Sequence, residues 1–183
     1  MKRLIVTALA ALLCGSLGLT DAFAEEEESI DYARPGRFFT AQGVFAIENI
    51  DNADDNTGGF SLGVGYRMGP RAAIELEYEW LDDFGSGGVE VSAWMLGVNG
   101  RYYLLQSQVQ PFLLLGGGLL VAENDAAGFS DDDEVFAIRL GAGGEIYLTD
   151  RLALTTEATY VFPFGELDDF QFGTISAGIL YRM

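Results

Sequence analysis

From Arg37 onward, apolar and polar positions alternate with a period of two. The clearest run is Ala73-Ile74-Glu75-Leu76-Glu77-Tyr78-Glu79-Trp80. A helix would scatter its three glutamates around the axis; a strand puts them on one face. The same periodicity predicts eight strands at about 37–48, 59–68, 71–81, 89–103, 109–122, 134–148, 151–162 and 170–182. Connections after strands two, four and six are short: Met68-Gly69-Pro70, Leu104 to Gln108, and Leu148-Thr149-Asp150. Those after strands one, three, five and seven are longer and acidic. All four prolines fall at strand ends or turns, where a missing N–H is tolerated.

A repeat supports that count. Gly63-Val64-Gly65-Tyr66-Arg67-Met68 returns as Gly97-Val98-Asn99-Gly100-Arg101-Tyr102-Tyr103. It returns again as Gly141-Ala142-Gly143-Gly144-Glu145-Ile146-Tyr147-Leu148 and as Ser176-Ala177-Gly178-Ile179-Leu180-Tyr181-Arg182-Met183. Tyr66, Tyr103, Tyr147 and Tyr181 lie 34 to 44 residues apart, the length of two strands with a turn and a loop. Four such units predict an all-β chain, an eight-stranded antiparallel up-and-down barrel.

A soluble barrel keeps its apolar face inside, whereas a transmembrane barrel turns it to lipid. Three features favour the membrane. Every predicted strand has ten or more residues, against the roughly 9–11 a tilted crossing requires. Aromatics gather near strand ends as two girdles: Phe38, Phe39, Tyr66, Tyr78, Trp80, Trp94, Tyr102, Tyr160, Phe162 and Tyr181. Charge is polarised end to end. The long loops carry Asp51, Asp54, Asp55, Asp82, Asp83, Glu123, Asp125, Asp131, Asp132, Asp133, Glu134, Glu166, Asp168 and Asp169. Arg34, Arg37, Arg67, Arg71, Arg101, Arg151 and Arg182 gather at the other end.

Composition adds export. Lys2 and Arg3, the apolar Leu4 to Leu19 stretch and Ala22-Phe23-Ala24 make residues 1–24 a cleaved signal peptide. Residues 25–36 read as an acidic, disordered periplasmic leader, and 37–183 as the barrel. Without 1–24 the chain has no Cys, Lys or His, and its formal charge moves from −18 to −19 as Lys2, Arg3 and Asp21 leave together. No disulfide framework is then expected, and such acidity excludes nucleic acid as a partner.

The C-terminal strand is a fourth feature, and it carries a resemblance. Ser176, Gly178, Tyr181 and Met183 fill a polar-x-Gly-x-x-aromatic-x-apolar ending. That ending resembles the assembly signal of bacterial outer-membrane barrels, although the usual last residue is Phe. Residues 37–183 resemble the small eight-stranded outer-membrane β-barrel family, the OmpA-type transmembrane domain and its OmpW-type relatives. Glu75-Leu76-Glu77-Tyr78-Glu79-Trp80 and Gly143-Gly144-Glu145-Ile146-Tyr147 are similar to strands of that family. The resemblance implies export and insertion by the outer-membrane assembly machinery. A monomer in contact with outer-membrane lipid and lipopolysaccharide is expected.

A strict Gly-x-x-Tyr facing rule sends Tyr66 and Tyr181 to lipid, but in strands four and six it would send Arg101, Arg139 and Glu145 there too. An arginine on the lipid face costs up to about 2–4 kcal/mol, so the charges set the register. The lumen then receives Glu48, Glu75, Glu77, Glu79, Glu145 and Glu157 with Arg67, Arg101, Arg139 and Arg182. Tyr102 and Ile146 face out, and Tyr103 and Tyr147 lie near the turns. Two readings of the interior remain open. One is an ion-paired plug. The other is a narrow pore favouring cations, or an apolar solute path as in the OmpW-type resemblance. Strand five, Phe112-Leu113-Leu114-Leu115-Gly116-Gly117-Gly118-Leu119-Leu120, is apolar on both faces and has no assigned orientation.

Catalysis has little support. Without His there is no Ser-His-acid triad and no His-ligated zinc, and the glycines lack the GK[ST] ending of a phosphate loop. No enzyme activity and no cofactor are expected. Asp131, Asp132, Asp133 and Glu134 offer the hard oxygen ligands that divalent cations prefer, but they do not match a calcium loop.

Overall fold

The computed structural model describes residues 31–48, 56–86, 89–126, 129–165 and 171–183. At the far ends of several strands (residues 48, 83–86, 89–91, 123–126 and 129–133) the backbone alone is described. Eight strands follow one another: β1 Gly36–Glu48, β2 Asn56–Arg67, β3 Ala72–Ser86, β4 Val89–Tyr103, β5 Val109–Ala126, β6 Phe129–Tyr147, β7 Leu152–Pro163 and β8 Phe172–Arg182. Each pairs antiparallel with the next, and β1 pairs with β8, closing the barrel. Closure leaves no strand edge with unpaired N–H and C=O groups, which a lipid environment requires.

The period of two becomes two surfaces. In β3, Ala73, Glu75, Glu77, Glu79 and Leu81 are buried inside, while Ile74, Leu76 and Tyr78 are exposed outside. β5 resolves the same way despite its uniform sequence: Phe112, Leu114 and Leu120 turn in, and Leu113 and Leu115 turn out. A lumen that is apolar at this level makes both faces read alike.

Glycines make room inside. A Cβ on Gly63 would lie 2.2 Å from Glu75 Oε1 and 2.3 Å from Thr40 Oγ1. One on Gly65 would lie 2.2 Å from the Phe38 ring, and one on Gly116 1.9 Å from Asn99 Oδ1. These positions let a neighbouring strand's large side chain lie flat over the backbone.

Three expectations need correction. The acids assigned to a loop after strand five belong to a ladder that runs to its tip, with Glu123 opposite Asp132, Ala122 opposite Asp133 and Ala126 opposite Phe129. Asp82 and Asp83 likewise fall within β3, beside a register shift between Leu81 and Phe84. Ladder hydrogen bonds use the backbone, so pairing continues where the apolar alternation stops. Phe38, expected in the lipid girdle, is 3% exposed and points inward.

The third correction concerns the leader. Residues 31–35 are not a tail but a strap over the short-turn mouth. The Tyr32 ring lies 5.3 Å from that of Tyr147. The Tyr32 carbonyl accepts from Arg67 Nη1 at 3.5 Å and Gln110 Nε2 at 3.2 Å. Ala33 is buried, and its N–H bonds to Asp31 Oδ1 at 2.9 Å. Buried donors at the mouth need acceptors, and this strap supplies them.

Candidate functional site

The candidate site is the lumen, and it is built in layers. Inward positions of β3, β4, β6 and β7 place Glu75, Glu77, Glu79, Arg101, Arg139, Glu145 and Glu157 around the middle of the barrel, each at most 4% exposed. Two guanidiniums organise five carboxylates. Arg101 Nη2 lies 2.6 Å from Glu157 Oε1 and Nη1 lies 3.3 Å from Glu145 Oε1. Nη2 also lies 2.6 Å from Glu75 Oε2, an ion-pair contact without hydrogen-bond alignment. Arg139 takes the other pair, Glu77 at 2.9 Å and Glu79 at 2.6 Å. Neutral groups complete the belt. Thr40 donates to Glu75 at 2.6 Å, Gln42 to Glu157 at 3.1 Å, and Asn99 to Glu77.

Apolar side chains pack against the belt on both sides. Toward the long-loop end, Val44, Ala46, Leu81, Ala93, Met95, Leu120, Val135, Ala137, Val161 and Phe172 form one cluster. Toward the short turns, Phe38, Ala73, Tyr103, Phe112, Leu114, Tyr147, Ala153 and Leu180 form another.

Arg67 and Arg182 belong to this second layer, and neither has a carboxylate within 4.0 Å among the described residues. The expectation that all four lumen arginines enter ion pairs is therefore corrected for these two. Arg67 Cζ sits 3.9 Å from the Tyr103 ring centroid, and Arg182 Cζ sits 4.7 Å from that of Tyr147. Arg67 also donates to Gln110 Oε1 at 2.6 Å and to the Pro70 carbonyl at 2.7 Å. Both tyrosine hydroxyls donate to Glu145, Tyr103 to Oε1 at 2.7 Å and Tyr147 to Oε2 at 2.8 Å. Each cation thus reaches the belt through an aromatic ring, a cation–π contact strengthened by exclusion of water.

Tyr103 and Tyr147 are residues that sequence reasoning placed but did not use. The signal was available: Tyr103 shares parity with Arg101, and Tyr147 shares parity with Glu145. The Gly-x-x-Tyr repeat keeps its opposite faces everywhere, but in β4 and β6 the tyrosine is the inward partner. Tyr66, Tyr181, Tyr102 and Ile146 all face outward.

The other candidates separate. Ser176 is buried inside and donates to Gln42 Oε1 at 2.9 Å. Gly178 also lies on the inner face, where a Cβ would meet the Ala41 carbonyl at 2.0 Å. Tyr181 and Met183 are exposed outside. Glu134 is exposed, while the side chains of Asp131, Asp132, Asp133 and Glu48 lie outside those described. Among the described residues no group of three or more His, Cys, Asp or Glu could hold a metal ion.

The family model described as "Outer membrane protein beta-barrel domain" matches residues 7–182. The chain belongs to this family. Its place is the bacterial outer membrane, with β1 to β8 as the transmembrane strands. Among solved structures, Neisserial surface protein A is similar at 18% identity and TM-score 0.72, with 81% of this chain and 97% of that chain covered. Ail, the attachment invasion locus protein of Yersinia pestis, is similar at 18% and 0.57, covering 81% and 97%. The outer membrane protein OprG from Pseudomonas aeruginosa is similar at 15% and 0.54, covering 84% and 99%. At these identities the likeness is one of fold. No curated protein sequence matches the chain. As in any outer-membrane barrel of this strand number, the diameter suffices only for side chains or one small ligand.

Proposed function

We propose that this outer-membrane barrel is a structural and interaction protein with a plugged lumen, rather than a conduit or an enzyme. One observation carries the reading: the belt's charges are paired with one another, and toward the long-loop end the apolar cluster around Leu81, Leu120, Val161 and Phe172 fills the lumen, which breaks any polar path along the axis. Carboxylates already held by Arg101 and Arg139 do not offer a permeating cation a free site. The short-turn end, with the termini, faces the periplasm, and the acidic ends of the strands face outward. The barrel acts as a monomer, inserted by the outer-membrane assembly machinery through the Ser176, Gly178, Tyr181 and Met183 ending. Absence of His from the whole sequence removes the commonest general base, which supports a non-catalytic role.

Single-channel recording in planar bilayers tests the plug. The expected result is silence across a wide range of salt. Current steps that scale with salt and shrink in Glu77→Gln would replace this reading with a cation pore.

The outward acids make a second contact, to lipopolysaccharide phosphates through divalent cations. A complex of Ail with the heparin analogue sucrose octasulfate shows that protein with a polyanion. Here the loop-end segments carry acids without Lys or Arg, which favours cation bridging over direct polyanion binding. Chelating divalents should lower the Tm in lipopolysaccharide-containing membranes and leave it unchanged in phospholipid alone. An equal Tm with and without chelator in lipopolysaccharide would remove the bridge.

A further inference from the structure

The arginines of the short-turn rim are of two kinds. Arg34 and Arg151 both reach the Asp150 carboxylate, at 3.7 and 3.6 Å. Arg37 and Arg71 are exposed, with no carboxylate within 4.0 Å of either among the described residues. Arg71 Nη1 lies 3.3 Å from the Tyr102 hydroxyl and is otherwise open.

The outer wall carries a shallow, open groove beside Arg37. Of about 430 Å³, it is lined by Val64, Tyr66, Ile74, Leu76 and Val98 among others. Strand register sets its lining. Arg37 stands opposite Tyr66 and Tyr66 opposite Ile74, while one outward row further on Val64 stands opposite Leu76 and Leu76 opposite Val98. The groove lies between these two rows, with an arginine at its rim end.

Two requirements converge on one occupant. An apolar depression in a wall facing hydrocarbon offers water no partners, so an acyl chain fills it. An exposed guanidinium at headgroup level without a carboxylate pairs best with a phosphate oxygen, bidentately where geometry allows. We propose that this groove is a discrete site for one anionic glycerophospholipid. Its acyl chain lies along Val64, Ile74, Leu76 and Val98, and its phosphate sits on Arg37. The site rests on the short-turn end lying in the inner leaflet, where phospholipid headgroups are.

Native mass spectrometry of the full barrel released from detergent tests it, with phosphatidylglycerol, phosphatidylcholine and inorganic phosphate as separate probes. Phosphatidylglycerol should be retained one to one, about tenfold more tightly than phosphatidylcholine. Arg37→Gln should lose roughly tenfold, as expected for one charge-assisted contact. Val64→Trp, which fills the groove and keeps the charges, should lose retention too. Arg151→Gln, at an arginine that reaches Asp150, should leave it unchanged. Heat-modifiable gel migration identifies a folded barrel for each variant, and therefore separates a failed site from a failed fold. Equal retention of the two lipids would overturn the proposal, as would undiminished retention in Arg37→Gln. An equal loss in Arg151→Gln would reduce it to general surface charge. Displacement of phosphatidylglycerol by inorganic phosphate would make the site one for free anions.

Discussion

Replacing Arg101 by Met should destabilise the folded barrel by about 3–5 kcal/mol, the usual penalty for leaving buried charges without their partner. Arg101 is the contact shared by Glu75, Glu145 and Glu157, at 2.6, 3.3 and 2.6 Å. Without it three carboxylates face one another in a space closed by apolar side chains. Arg101→Lys should recover only part, because one ammonium cannot span three acids as a planar fork does. Neutralising one acid should also help. Glu75→Gln in the Met background keeps an acceptor for the Thr40 hydroxyl, which now donates to Glu75 Oε1, and removes one charge. Urea unfolding and refolding in lipid vesicles, followed by tryptophan fluorescence and gel migration, measures each step. The outcome also bears on function. Water in an open lumen would screen the orphaned acids, and a loss below about 1 kcal/mol would then be expected. Such a small loss would count against the plug.

The belt was legible because charge is the costliest thing to misplace. Arg101, Arg139 and Glu145 could not face lipid, and that single constraint set the register of β4 and β6 against the Gly-x-x-Tyr motif. Glu75, Glu77 and Glu79 needed only the strand period. Two kinds of information were not legible. The partner of each charge depends on barrel closure, which brings β4 across to β7 and β6 across to β3. Only that geometry shows Arg67 and Arg182 resting on tyrosine rings instead of carboxylates. Side chains also serve either face when they are apolar or aromatic. Phe38 reads as a girdle residue until Gly65 is seen to lie beneath its ring, and β5 reads alike on both sides. The docked strap at residues 31–35 escaped detection because its hold is mostly backbone: the Tyr32 carbonyl receives Arg67 and Gln110.

Gly65 makes the packing itself testable. A Cβ there would fall 2.2 Å from Phe38 Cζ, with two further ring carbons at 2.6 and 2.7 Å. Phe38 cannot swing aside, since it is packed in the cluster with Phe112, Tyr103 and Leu180. Gly65→Val should therefore cost about 1–3 kcal/mol, the range for overpacking a filled interior. The compensating change is specific. Adding Phe38→Ala removes the ring that Val would strike, so the double variant should be more stable than the sum of the two losses predicts, because contacting positions couple. Gly144 supplies the opposite case. It lies on the outer face of β6, nothing stands within 4 Å of its missing Cβ, and its backbone is ordinary extended chain. Gly144→Val should change stability by no more than about 0.5 kcal/mol, with a gain expected from β-branching in a strand. Equal losses at Gly65 and Gly144 would mean that the two glycines answer to backbone flexibility alone. A loss confined to Gly65 and relieved by Phe38→Ala would place the constraint inside the barrel, where a filled lumen requires it.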